Sequence, residues 1–174
     1  MYKLNKLYLI VIYGRQGAGK STLADFLYSK LSYTAHIGVD KIKRFISEFR
    51  EIPTHDFVSR KVINTMAEEY LKNNISVIVE QGMSKEDIEN LEKIAGAQKA
   101  NFLVYRLEAD EKILTERIQE RTIRLNKPQI TQEDLDEKSK IFNENDYPST
   151  RIIDSGLLGT EEKANLILKD LDVL

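Results

Sequence analysis

Cysteine is absent from the 174 residues. Its absence excludes disulfides, cysteine-ligated zinc and thiol catalysis. Only two histidines are present, His36 and His55, so a histidine-rich metal site is excluded as well. No apolar run approaches the roughly 20 residues that a membrane-spanning helix needs. Proline occurs three times, each time between candidate elements. Neither sign of charge dominates: 26 lysines and arginines face 28 aspartates and glutamates, for a net charge of −2. That balance argues against a general nucleic-acid binder and leaves only a local basic cleft as a route to nucleic acid. No repeat, low-complexity tract or linker interrupts the chain, so residues 1–174 read as one domain. Lys3 and Lys6 precede an apolar run, as in a signal peptide, but that run feeds directly into a glycine loop with no small-residue cleavage site. The expectation is a cytoplasmic protein with no membrane partner, either monomer or homodimer.

What is present is a glycine loop. Gly14-Arg15-Gln16-Gly17-Ala18-Gly19-Lys20-Ser21 matches the phosphate-binding pattern G-x-x-x-x-G-K-[ST], known as the P-loop or Walker A motif. Leu7–Tyr13 before it is an unbroken apolar run, as a buried parallel strand requires. After it, Leu23, Phe26, Leu27 and Leu31 recur at helical spacing. Strand, glycine loop and helix together form the context that gives the motif meaning. The glycines let successive backbone N–H groups turn toward phosphate oxygens, and the helix N-terminus adds a favourable dipole. Nucleotide contacts are expected from Gly14 through Ser21 and from Thr22. Lys20 would reach the β- and γ-phosphates, and Ser21 would hold Mg²⁺. A plain strand-to-helix turn needs one glycine, not three followed by Lys-Ser.

Short apolar runs alternate with amphipathic stretches along the whole chain, the pattern of a parallel sheet covered by helices. Strands are expected at Leu7–Tyr13, Tyr33–Val39, Ser76–Glu80, Asn101–Leu107 and Arg151–Asp154. Helices are expected at Lys20–Leu31, Lys41–Phe49, His55–Lys72 and Lys85–Ala97. Another should run from a cap at Asp110 to about Arg124, another should open at Thr131 with Asp134, and a last should begin at Thr160. Ser84 with Asp87 has capping-box spacing. The stretch from Arg117 to Tyr147 is highly charged and poor in large apolar residues. It fits a solvated helical hairpin or a lid over a nucleotide, which must bury little area if it is to open.

Carboxylates mark the strand ends. Asp40 lies between a strand and a helix, at the carboxyl edge of the sheet where open α/β sites sit. There it can accept a proton from an attacking hydroxyl, hold a Mg²⁺-bound water, or cap the helix. Glu80 ends the Val77-Ile78-Val79 strand and can reach Mg²⁺ through water or bind substrate hydroxyls, and Gln81-Gly82 lets the chain leave the sheet near a ligand. Lys43 and Arg44 can bind an anionic acceptor group or stand as solvated helix charges. Arg117 and Arg121 share a helix face, with Arg124 one turn further on. Their planar guanidinium groups suit bidentate phosphate contacts and stacking on adenine, with Glu116 and Glu120 as the competing partners. Arg106 is open between a substrate contact and a satisfied strand-end charge. Structural roles are expected for His36 and His55.

With these residues in place the chain resembles the nucleoside-monophosphate-kinase-like group of P-loop kinases, over nearly its whole length. Arg117-Ile118-x-x-Arg121 is similar to the start of the adenylate kinase lid, which implies an adenine-stacking role for Arg117 and a phosphate contact for Arg121. Asp40 through Lys43 looks like the D-x-x-R element of small-molecule and polynucleotide 5′-hydroxyl kinases, including zeta-toxin-like and chloramphenicol-phosphotransferase-like enzymes. There the aspartate is the base and the arginine binds substrate; here Lys43 stands at the arginine position and Arg44 follows. Asp154-Ser155-Gly156 resembles the loop that lies against the adenine ring, and Asp154 is carried over as a nucleotide contact. The resemblance implies a three-layer α/β fold with a parallel five-stranded sheet in the order 2-3-1-4-5, helices on both faces and a helical lid at about 117–147. It implies ATP and Mg²⁺ as cofactors.

The activity so implied is ATP-dependent transfer of the γ-phosphoryl to a hydroxyl, or a phosphate, of a small molecule, a nucleotide or a nucleic-acid 5′ end. Catalytic roles fall to Lys20, Asp40 and Arg121, and substrate contacts to Asp40, Lys43, Arg44 and Glu80. Metal contacts fall to Ser21 directly and to Asp40 and Glu80 through water. The alternative is a nucleotide-dependent switch, or a non-transferring nucleotide hydrolase or binding protein. A GTPase would need N-K-x-D, and Asn126-Lys127-Pro128-Gln129 lacks the aspartate. No D-x-x-G follows the third strand.

Overall fold

The computed structural model describes residues 1–81, 84–124 and 147–174. Five parallel strands form one sheet: β1 (Tyr8–Gly14), β2 (Thr34–Gly38), β3 (Ser76–Gln81), β4 (Asn101–Glu108) and β5 (Arg151–Asp154). Their spatial order is β2-β3-β1-β4-β5, the order expected from the kinase resemblance. β1 lies at the centre and is buried along its whole length, which is why its sequence shows no polar alternation. Its side chains still alternate between faces. Tyr8, Ile10 and Ile12 pack into one core with α1 (Lys20–Lys30) and α6 (Thr160–Asp170). Leu9, Val11 and Tyr13 pack into the other with α2 (Val39–Lys43), α3 (His55–Lys72) and α4 (Lys85–Ala97). α5 (Glu111–Arg124) sets Leu114 and Ile118 inward.

Most element boundaries fall within a residue of expectation; two shifts have clear causes. β2 begins at Thr34, because Tyr33 is left-handed at φ 52° and 74% exposed, so it belongs to a turn. Val39 leaves the strand to open α2. The helix expected over Lys41–Phe49 is only five residues long, and a 3₁₀ turn follows at Phe49–Glu51. Ile42, Phe45, Ile46 and Phe49 have helical spacing, but Phe45 finds no core and is 81% exposed. Without packing, so short a helix gains too little to propagate. The chain instead makes tighter bonds from Phe45 N–H to Ile42 and from Ile46 N–H to Lys43.

α4 opens with the expected capping box: Ser84 and Asp87 each accept the other's backbone N–H. The helix expected from Thr131, and most of the lid span 117–147, lie outside the described residues. At the end of that span, Tyr147 is buried, its ring edge-on to Phe102 on the β4 face. Among the described residues no helix is long and apolar enough to cross a membrane.

Candidate functional site

A parallel sheet directs every strand's carboxyl end to one edge, and there the loop after β1 turns into α1. Gly14 is the hinge of that turn. Its φ is +151°, and a Cβ on it would stand 2.5 Å from the Leu107 carbonyl oxygen, so only glycine fits. Ala18 is fully buried beneath the loop, while Ser21 and Thr22 are exposed on the first turn of α1. Arg15 turns away from the loop and grips Glu111 with both guanidinium nitrogens, at 2.5 and 2.7 Å. Lys20 Nζ donates to the Arg15 carbonyl at 3.0 Å and so lies folded along the loop.

Lys20 gathers the other candidates around it. Burial pulls its ammonium below the ordinary lysine range; the charges of Glu80 and then Asp40 push back, and Arg121 adds to the fall. Residues from β3, α2 and α5 therefore act on one loop lysine. Glu80 is only 6% exposed, and its Oε1 accepts from Ser21 Oγ at 3.1 Å. Burial drives its carboxyl up to about 7, against the pull of Lys20 and the Ser21 hydrogen bond. Close approach is built in here too: a Cβ at Gly38 would lie 2.7 Å from Glu80 Oε1. Asp40 is exposed and is the second residue of α2; Gly38, not Asp40, holds the cap position. Its carboxylate is left for other work.

Other expected residues are placed differently. Lys43 pairs with Asp56 on α3. Arg44, exposed, ends α2. Arg106 bonds to Glu108 within its own strand. Arg121 and Arg124 are exposed. Arg117 lies across the loop after β5, donating to Ser155 Oγ at 3.3 Å and to the Ser155 carbonyl at 2.8 Å. Asp154 Oδ1 accepts the N–H groups of Gly156 and Leu157 at 2.8 and 3.0 Å, which fixes that loop's shape. Beside it opens a cavity of about 630 Å³, lined by Arg15, Glu108, Ile113, Ile152, Asp154 and Leu157 among others. That volume is in the range of small-molecule sites, and apolar and polar walls both face it.

Two residues at this edge escape sequence reasoning. His36 is two before Gly38 on β2, so its side chain shares a face with the approach to Glu80. Its Nδ1 lies 3.0 Å from Asp25, while Nε2 is buried, 4.0 Å from Glu80 Oε1, and makes no hydrogen bond. Burial and then Lys41 hold its ring below the ordinary imidazole range. Lys163 on α6 is 5% exposed and reaches Gly19 of the loop. Its signal was legible: Lys163 precedes the core residue Ile167 by four, so a lysine occupies an apolar helix stripe.

A Mg²⁺ ion fits this donor set. Ser21 and Glu80 offer hard oxygens side by side, with Asp40 in electrostatic reach. Among the described residues no group of three or more His, Cys, Asp or Glu could hold a metal.

Comparison with known proteins fixes the family. A model of the family described as an AAA domain matches residues 9–144, from the first strand through the phosphate loop and beyond α5. The chain belongs to this AAA domain family. No curated protein matches it. Among solved structures it is similar to a provisionally assigned kinase from Chloroflexus aurantiacus J-10-fl, at 17% identity and TM-score 0.75, covering 96% of this chain and 97% of the other. It is similar to a gluconokinase from Sinorhizobium meliloti 1021, at 18% identity and TM-score 0.69, over 95% and 91% of the two chains. It is also similar to thymidylate kinase from Candida albicans, at 16% identity and TM-score 0.63, over 96% and 92%. At such identities the likeness is one of fold: this family member has the P-loop kinase fold, along nearly its whole length.

Proposed function

We propose that this protein is an ATP- and Mg²⁺-dependent phosphotransferase that moves the γ-phosphoryl of ATP to an acceptor hydroxyl. The observation that carries the proposal is the convergence on Lys20. One loop lysine lies in the field of two carboxylates, Glu80 at the end of β3 and Asp40 in α2, and of Arg121. A switch needs the loop and the metal, but not a second exposed carboxylate free of a capping duty. The neighbours' acceptors differ in kind, since one is named a gluconokinase and another a thymidylate kinase, so the fold leaves the acceptor open. A phosphate acceptor or a nucleic-acid 5′ end is served by the same transfer chemistry. A cytoplasmic setting, where ATP is made, goes with this reading.

In this mechanism Asp40 takes the proton of the acceptor hydroxyl. Its oxygen attacks the γ-phosphorus, the bond to the bridging oxygen breaks, and ADP leaves. Lys20, the loop N–H groups and Arg121 oppose the charge that spreads over the phosphoryl oxygens in the transition state. Ser21 and Glu80 present the metal-facing oxygens, and Mg²⁺ when bound neutralises phosphate charge. Arg117, held on Ser155, supplies a flat surface for the base, and the 630 Å³ cavity lined by Asp154, Gly156 and Leu157 of the same loop gives it room.

The test is ADP formation from ATP and Mg²⁺, alone and with a panel of hydroxyl compounds. Turnover should be slow alone, should rise with the acceptor, and should vanish in folded Lys20→Ala protein. ADP release that no acceptor stimulates, or that survives Lys20→Ala, overturns the proposal.

A further inference from the structure

Lys163 is the one buried lysine among the described residues, and no described side chain partners its ammonium. It is 5% exposed, within the face of α6 that also buries Ala164, Ile167 and Leu168. Its ammonium makes no ion pair or hydrogen bond with any described residue, and no described carboxylate bears on it. The charged group that it feels is another cation, Arg117, which together with burial depresses its basicity. Its place in the first turn of α6 is also unfavourable for a positive charge, because that end of a helix is itself positive. An ammonium beside another cation and at the positive end of a helix is favoured when an anion meets it.

The surroundings say where that anion lies. Nζ is 3.8 Å from the position of a Cβ on Gly19, the residue that caps α1 and closes the phosphate loop. Lys20 Nζ is turned to the Arg15 carbonyl, in the field of Glu80 and Asp40, so Lys20 and Lys163 have different surroundings at the same loop. Lys163 instead neighbours Arg117, which holds the loop after β5 through Ser155. It thus stands between the phosphate loop and the loop proposed to face the base. In a nucleotide laid across that interval, the phosphate joining nucleoside to chain is the α-phosphate.

We propose that Lys163 is a further nucleotide-binding residue, and that its ammonium takes the α-phosphate of a nucleoside phosphate lying between Gly19 and the Arg117–Ser155 contact. The inference rests on the nucleotide-binding reading above. It extends that reading to α6, an element with no part in the loop motif.

The experiment measures, by calorimetry, the binding of ATP, ADP, AMP and adenosine to the wild-type chain and to Lys163→Met and Lys163→Arg, with melting temperature followed in parallel. Lys163→Met should weaken ATP, ADP and AMP alike by about 10- to 100-fold, the loss expected for one charged hydrogen bond, and leave adenosine unchanged. Its melting temperature without ligand should hold or rise, since a buried charge is removed. Lys163→Arg, which keeps the charge, should recover part of the affinity. Unchanged nucleotide affinity in Lys163→Met, with or without a fall in melting temperature, overturns the inference. So does a loss confined to ATP, which would put the ammonium at the γ-phosphate. Should Lys163→Met fail to fold, Lys163→Arg and Lys163→Gln carry the same comparison, and equal affinities in these two overturn the inference. Failure of the wild-type chain to bind any nucleoside phosphate would instead count against the nucleotide-binding reading itself, and would overturn both together.

Discussion

Ser21 Oγ donates to Glu80 Oε1 at 3.1 Å, joining the first turn of α1 to the end of β3 across 59 residues of chain. The bond holds the hydroxyl proposed to face the metal against a buried carboxylate. It is the link through which pH should act on this protein.

Glu80 has its carboxyl driven up to about 7 from an ordinary value of 4.5. Between those values the unfolded chain ionises this group while the folded chain keeps the proton. Unfolding then releases a proton, so stability should fall as pH rises through this window. Glu80→Gln should flatten the decline, by up to about 3 kcal/mol between its ends. Urea unfolding at a series of pH values measures it; an unchanged slope in Glu80→Gln would show that other groups set the dependence. In the proposed mechanism Glu80 faces the metal in its ionised form, so kcat/KM for ATP should rise with pH through about 7, and Glu80→Gln should lose that limb.

Gly38 makes room for the same carboxylate. Gly38→Ala would place a Cβ 2.7 Å from Glu80 Oε1. The crowding should cost about 1–3 kcal/mol and turn Glu80 away from Ser21, with a matching loss of activity. In a Glu80→Ala background the same substitution should cost little. A cycle of the two single and one double variant reads the coupling, and simple additivity would refute the steric account.

Asp40 separates chemistry from helix electrostatics. As the second residue of α2 it contributes only the dipole interaction, about 0.3–1 kcal/mol. Asp40→Asn should therefore melt within a few degrees of the parent. If Asp40 is the base, kcat should fall by about 10²–10⁴. Normal kcat in a folded Asp40→Asn protein would move the base elsewhere.

Arg117 and Arg121 should fail in different ways. Arg117 is held by Ser155 on the loop proposed to face the base, so Arg117→Ala should raise the nucleotide Kd and leave kcat nearly intact. Arg121 acts on Lys20, so Arg121→Ala should lower kcat by about 10²–10³ with a smaller change in Kd. Separate titration and turnover measurements distinguish them; equal effects of both variants on Kd alone would remove Arg121 from the transition state.

The sequence by itself determined the architecture and the centre of the site. An unbroken apolar run, a three-glycine loop and a Lys-Ser pair carry a strand, an anion-binding turn and a helix, because each is a local consequence of side-chain polarity and backbone freedom. Alternating apolar runs and amphipathic stretches carry the parallel sheet for the same reason. Tertiary structure alone decided which charges meet. Lys43 reads as a substrate contact but pairs with Asp56, since α2 stops early and packs on α3. Glu80 reads as a strand-end carboxylate for metal or substrate, but nothing in its sequence neighbourhood shows that β2 and α1 close over it and that burial pushes its carboxyl up to about 7. His36 and Lys163 have no partners in sequence, and gain their meaning only where β2 and α6 carry them to the loop. Periodicity assigns a residue to a face; whether that face meets solvent, a carboxylate or another cation depends on elements distant in the chain.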